Sequence, residues 1–217
     1  MGGFNISNIM RQIVSLLDVP VKVILIAFLI YSLVMLGGLI AEFLQRRYLI
    51  VKAANVADAI KKGEKNVTTI ISNSKLLTKQ KRLLLEVTMH KNLSNDMKEN
   101  FAASLLENYN QNQDFTIKKT DLITRLGPTF GLLGTLIPLG PGIIALAGGD
   151  TATLSYSLIA AFDTTVIGLI SGSICSVISL VRRRWYGKDR IMLELIMEAV
   201  VESCMTNKTD VTIDGSL

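Results

Sequence analysis

The chain has 217 residues, 49% hydrophobic and only 19% charged, with a formal net charge of +5. Its mean hydropathy is +0.41. Basic residues beside apolar runs serve membrane topology, so the positive balance is no sign of nucleic acid, and no nucleic-acid partner is expected. The two cysteines, Cys175 and Cys204, form no C-x-x-C pair, and His90 is the single histidine. The usual zinc spacings are therefore absent, and a structural disulfide is not expected.

Residues 1–20 hold a short amphipathic stretch, Ile6 to Leu17, with one basic residue, Arg11. A cleaved signal would follow its apolar run with small residues. Here the run is followed by Glu42, Arg46 and Arg47, so residues 21–44 are read as a retained first transmembrane helix. Gly37 and Gly38 form a small notch in it, where a second helix could approach or where the glycines are merely tolerated.

Residues 45–125 are polar and basic, with apolar residues at helical spacing: Val51, Ala54 and Ala57; Leu76, Leu77, Leu83 and Leu84; Phe101, Leu105 and Leu106. This predicts amphipathic helices, one of them capped by Ser94 with Asp96 in its first turn. The polar run Asn108 to Asp114 reads as a break between helices. Such a region has little core of its own, and is expected to extend the membrane helices and pack against copies of itself.

Two further spans of the roughly 20 apolar residues a bilayer requires occupy residues 126–147 and 154–181. Lys and Arg crowd the central block and the Arg182-Arg183-Arg184 segment, while the turn Ala147 to Ser157 has neither. The positive-inside rule then puts the N-terminus outside, the central block and C-terminus in the cytoplasm, and the chain in the cytoplasmic (inner) membrane as a multi-pass protein. Residues 182–206 continue the last helix through Ile191, Leu195, Ile196, Ala199 and Val200, and residues 207–217 read as a disordered tail. The fold class is all-α: three transmembrane helices with a helical cytoplasmic region.

The last two spans carry the chemistry. At helical spacing, Gly127, Gly131, Gly134 and Thr135 form one small-residue stripe, and Ala161, Thr165, Gly168 and Gly172 another. If the stripes meet, the helices approach closely and set Thr135 and Thr165 beside a narrow polar seam. Alternatively the stripes serve packing only, with the hydroxyls bonded to their own helix. Thr164 and Asp163 are equally foreign to a lipid anchor. Asp163 lies about 200° around the helix from Thr165 and roughly 13 Å inside the outer end of its span. Three roles are open for it: a group that binds a proton or cation, a partner for a basic or hydroxyl group on another helix, or a buried protonated acid. Pro128, Pro138 and Pro141 predict a second span bent or broken near its outer half, with carbonyls freed toward a cavity.

The segment P-T-F-G-L-L-G-T-L-I-P, Pro128 to Pro138, resembles the P-x-x-G-L-x-G-T-V-x-G segment of the MotA/TolQ/ExbB proton-channel proteins. Likewise I-A-A-F-D-T-T-V-I-G-L, Ile159 to Leu169, resembles their A-x-A-L-x-x-T-x-x-G-L segment. Three spans fit the TolQ/ExbB architecture better than the four of a flagellar MotA subunit. The resemblance implies a homopentameric ring around two single-span partner helices of the MotB/TolR/ExbD kind. A partner aspartate would carry the ion, H⁺ or Na⁺, past Thr135 and Thr165, with no other cofactor, and rotation of the ring would do mechanical work. The chain departs from the pattern at Pro138, which replaces a Gly, at Ala160, where a Glu is common, and at Asp163, an ordinarily apolar position.

Two other classes compete with a motor subunit. A passive membrane scaffold would recruit a partner through its cytoplasmic helices. An intramembrane enzyme is disfavoured, since no H-E-x-x-H, no G-x-S-x-G and no histidine within a span is present.

Overall fold

The computed structural model describes residues 6–48, 56, 58–60, 67–74, 76–90 and 94–213, all helical or in short connections, with no strand among them. The helices are α1 (Ile6–Tyr48), α2 (Val67–Asn73), α3 (Thr78–Met89), α4 (Asn95–Ala147) and α5 (Thr151–Ile213). Each of α1, α4 and α5 is long and apolar enough to cross a membrane, with windows of mean hydropathy 2.7, 1.9 and 2.0. The periodic Val51, Ala54 and Ala57 lie outside the described residues.

Two compact units divide the chain: Met1–Ile40 with Ile117–Val181, and Ala41–Thr116 with Arg182–Leu217. In the first, Val21 and Leu25 of α1 are buried against Ile137 of α4, with Phe130 and Ile167 packed around them. Phe28 and Phe130 meet edge to face at 5.8 Å, a favoured aromatic geometry. Ile117, Ile123, Cys175 and Ile178 are buried as well, whereas Leu132, Leu136, Phe162 and Val166 stand exposed, as lipid-facing positions require.

The α4 and α5 segments of this unit are joined by a tight turn. Gly149 takes a φ of 84°, the left-handed conformation that closes a helix when no Cβ interferes. The Gly148 N–H donates to Ala145 O at 3.0 Å and the Gly149 N–H to Leu146 O at 2.9 Å. Asp150 then opens α5, its carboxylate accepting from the Thr153 N–H at 3.0 Å and from the Thr153 hydroxyl. Those bonds, the hydroxyl's first, hold the exposed Asp150 carboxyl below the usual carboxylate range.

Beyond the turn the two small-residue stripes meet. A Cβ built on Gly168 would lie 2.5 Å from the Gly127 carbonyl oxygen and 2.8 Å from Gly131 Cα. One built on Gly134 would lie 2.7 Å from Thr164 Cβ, and one on Gly142 would lie 2.8 Å from Ser157 Cβ. The backbones are thus in direct contact, an approach that only glycine permits.

Pro128, Pro138 and Pro141 all fall inside α4, which runs unbroken. A proline removes one N–H and leaves the carbonyl four residues earlier without its donor. For Pro128 that carbonyl is Thr124 O, which lies 3.4 Å from the Cβ position of Gly172, and the Pro128 ring stacks on the same glycine. The freed carbonyl faces a neighbouring backbone, and the helix persists through it.

The second unit has a core of its own. Ile60, Ile71, Leu84, Leu193, Ile196 and Val200 lie at its centre, each 0 or 1% exposed, with Leu83, Leu105, Leu106 and Tyr109 packed around them. Three sequence-based expectations change here. The polar region is not short of a core, because α5 doubles back along it and supplies the missing apolar face. On that face Leu193 and Met197 are buried beside Ile196, Ala199 and Val200, whereas Ile191 and Leu195 stand exposed. The expected break at Asn108 to Asp114 is absent, since α4 is continuous there. No Gly or Pro interrupts that run, and its amides bond along the helix, Gln111 to Glu107 at 2.9 Å and Asn112 to Asn108 at 3.2 Å. Helix α5 extends to Ile213, so residues 207–213 are helical where a disordered tail is expected. Residues 214–217 of that tail lie outside the described residues. The Ser94 cap is present, with its hydroxyl accepting from the Met97 N–H at 3.4 Å.

Two predictions follow from this packing. Gly168→Ala and Gly187→Ala should have opposite signs. The first drives a methyl into the Gly127 carbonyl, whereas nothing lies within 4 Å of the Gly187 position, where a helical Ala gains about 0.5–1 kcal/mol over Gly. Thermal melts of the detergent-solubilised protein read both. Leu84, fully buried, should lose about 2–5 kcal/mol of unfolding free energy on mutation to Ala, measured by denaturant titration of the fluorescence of Trp185, the single tryptophan.

Candidate functional site

The glycine contact fixes which polar side chains of the spans are covered and which are presented. Thr164 is 6% exposed, seated against Gly134, with its hydroxyl donating to Ala161 O at 2.8 Å. Thr165 is half-buried and donates to the same carbonyl at 3.3 Å. Its Cα lies 3.5 Å from the Cβ position of Gly131. Thr135, also half-buried, donates to Leu132 O at 2.6 Å. The stripes therefore meet, but it is Thr164, and not the pair Thr135 and Thr165, that fills the contact, and the hydroxyls bond to their own helices as the packing alternative has it.

All three hydroxyl hydrogens are committed to carbonyls of their own helix. A hydroxyl also carries two acceptor lone pairs, and back-bonding leaves those free. What Thr135 and Thr165 present at the helix surface is acceptor oxygen.

Asp163 is exposed between Phe162, 66% exposed, and Val166, 52% exposed. It makes no hydrogen bond or ion pair with any described residue. Asp163 thus stands on an otherwise apolar surface with no partner among the described residues. Of the other small residues singled out from the sequence, Gly131, Gly134, Gly168 and Gly172 all lie in the seam. Pro138 and Pro141 border a groove between α1 and α4.

Several polar groups escaped the sequence reading. The Ser179 hydroxyl donates to Asp121 Oδ1 across α4 and α5, with Thr120 fully buried beside it in sequence. The antiparallel register that pairs Gly127 with Gly168 and Gly142 with Ser157 leads on to this pair. That register was the signal available, once the stripes were known to meet.

The second unit holds an ionic cluster. Arg46 binds Asp189 through both terminal nitrogens, at 3.0 and 2.5 Å, and Glu42 at 3.1 and 3.2 Å. Arg182 lies 3.6 Å from the other Glu42 oxygen. The guanidinium of Arg46 sits 5.1 Å from the Trp185 ring, which stacks on Phe43. Burial opposes the charge on Arg46, but Asp189 and Glu42 outweigh it, so its pKa is raised. Burial, reinforced by the Asp189 carboxylate, likewise pushes the Tyr109 phenol up. The i, i+4 spacing of Glu42 and Arg46 made half of this cluster readable. Asp189, so distant in sequence, gave no such signal. Beside the cluster lies a cleft of about 790 Å³ bordered by Arg46, Lys79, Tyr109, Gln113 and Tyr186. Among the described residues, no group of His, Cys, Asp and Glu side chains is placed to hold a metal ion.

Comparison with known proteins places this arrangement. Residues 73–188 match the sequence model of the MotA/TolQ/ExbB proton channel family. No curated protein matches the chain. The matched stretch covers more than half of the 217 residues and takes in α3, all of α4 and the whole glycine seam. With three helices apolar enough to cross a bilayer, this is a multi-pass membrane protein of a family whose role is proton-channel-type energy transduction. The chain belongs to the MotA/TolQ/ExbB proton channel family.

Proposed function

We propose that this chain is the ring-forming subunit of an ion-driven motor. Five copies enclose two single-span helices of the ExbD/TolR/MotB kind, and H⁺ or Na⁺ passing between ring and partner turns one against the other. The ring lies in the cytoplasmic membrane, N-terminus outside and C-terminus inside, with the basic central block in the cytoplasm. The coupling ion is the only cofactor, and the chain is a channel subunit, not an enzyme.

The observation that carries this reading is Asp163, without a partner among the described residues, on the surface of an apolar segment. A carboxylate facing hydrocarbon is costly, so it must face protein or water once the protein is in its membrane. An assembly with a polar interior supplies that, and a lone subunit does not. Thr135 and Thr165 add acceptor oxygens with their hydrogens tied down. Oxygens so oriented suit a cation or a proton-carrying water beside a partner carboxylate.

Thr165→Val removes one such oxygen while keeping the shape of the side chain. In proteoliposomes holding the chain with its single-span partner, ion flux should fall by roughly ten- to hundredfold, the equivalent of losing a hydrogen bond to a charged group, while the complex still assembles. Unchanged flux and unchanged work would leave a passive scaffold. Asp163→Asn separates ion handling from pairing. Intact complexes by native mass spectrometry with flux abolished are expected for a carboxylate in the passage, and loss of the complex would instead make it a contact between helices.

A further inference from the structure

Two opposite charges of the membrane-spanning unit lie at one depth and do not meet within the chain. Gly134 packs on Thr164, which sets Asp163 level with that part of α4. Ile137, three residues nearer the turn, is buried against Val21 and Leu25 of α1. Lys22, next to Val21, therefore lies within about one helical turn of the depth of Asp163. Ile137 is ten residues short of the end of α4 at Ala147, so both charges sit roughly 15–20 Å in from the turn. The other basic residues of this unit lie elsewhere. Arg11 is eleven residues back along α1, about 16 Å away. Arg125 is nine residues before Gly134, with Lys118 and Lys119 beyond it, about 13 Å or more toward the other end.

Each charge stands in an apolar patch. Val19 and Ile26 are exposed on either side of Lys22, and Ile159 and Val166 on either side of Asp163. Lys22 donates to Asp18 Oδ2 at 2.6 Å, yet its side chain stays 41% exposed, and an ammonium has three N–H donors. At its depth the stem is too short to carry the charge out to the headgroups. Asp163 has no partner among the described residues. Lipid offers neither group what it lacks.

We propose that Lys22 of one copy of this chain pairs with Asp163 of the next, so that the contact between copies in the membrane runs from α1 to α5. The two patches differ, so the contact is heterologous, and repeated head to tail it generates a ring. Helices in lipid have no hydrophobic drive to associate, and a charge pair at one depth then selects which surfaces meet. The inference rests on the ring proposed above and names a contact that builds it. One ammonium between Asp18 and Asp163 leaves a negative charge over, which the coupling ion of that motor would neutralise.

The test places Lys22→Cys and Asp163→Cys together in the full chain with Cys204→Ser, the buried Cys175 being left as it is, and oxidises membranes holding it with copper phenanthroline. Non-reducing gels should show a ladder of covalent oligomers beyond the dimer, which neither variant alone should give. Charge reversal reads the same contact without oxidation. Asp163→Lys sets ammonium against ammonium and should raise the concentration for half-assembly in detergent by roughly a hundredfold or more, and Lys22→Glu in the same chain should recover most of the loss. Disulfides confined to single chains, a ladder that stops at dimers, or no crosslink at all would overturn the proposal, as would an Asp163→Lys chain that assembles like the native one. A full ladder with unchanged flux in the Thr165→Val complex would keep this contact and remove the motor. No ladder with reduced flux would do the reverse.

Discussion

Everything in the membrane-spanning unit depends on two helix backbones touching. Each glycine inside a helix costs about 0.5–1 kcal/mol relative to Ala, and the seam holds Gly127, Gly131, Gly134, Gly168 and Gly172. In a bilayer the loss is offset by close packing, because lipid offers no hydrophobic drive to bring helices together. The same contact covers the carbonyl freed by Pro128, so a proline that would otherwise expose an unpaired acceptor to hydrocarbon is tolerated. It also fixes the rotation of α5 about its axis. Thr164 is turned inward, Thr165 to the margin and Asp163 outward. A bulkier seam would move all three.

The two units treat charge in opposite ways. Around Arg46, carboxylates and guanidinium are matched within the chain, with bidentate geometry and an aromatic face. Such an arrangement is complete by itself and fixes local geometry. On the apolar segment of α5, Asp163 has no counterpart among the described residues. A folded chain with one self-sufficient polar centre and one left open is what the proposed assembly would call for, with the open centre at the surface of α5.

Helical periodicity made much of this readable from sequence. The small-residue stripes, the three spans and the Ser94 cap all follow from spacing within one element. Which of two adjacent threonines enters the seam does not. Thr164 and Thr165 differ by about 100° of rotation, and the choice is settled by the facing glycines of α4. The core around Leu84 and Leu193 was missed for a related reason. Its two halves are remote in sequence, and each looks like an ordinary amphipathic helix. The polar run at Asn108 misled because amides favour turns by propensity, yet along a continuous helix the same amides bond one another at i, i+4.

The committed hydroxyls also bear on the scale of the proposed motor. One elementary charge crossing 100 mV releases about 2.3 kcal/mol. A hydrogen bond between neutral groups is worth about 0.5–1.5 kcal/mol. If the partner's protonated carboxyl group donates to one threonine oxygen at each station, a single ion supplies enough to exchange one station for the next. A hydroxyl free to rotate would donate to an ionised carboxylate and then have to turn away when the carboxylate is neutralised. Thr135 and Thr165, with their hydrogens on Leu132 O and Ala161 O, offer an acceptor in both states. In the proposed motor their preference would run one way: they would favour the cation-loaded or protonated partner over the bare anion, and that difference between states is what an ion gradient could draw on to give a step direction.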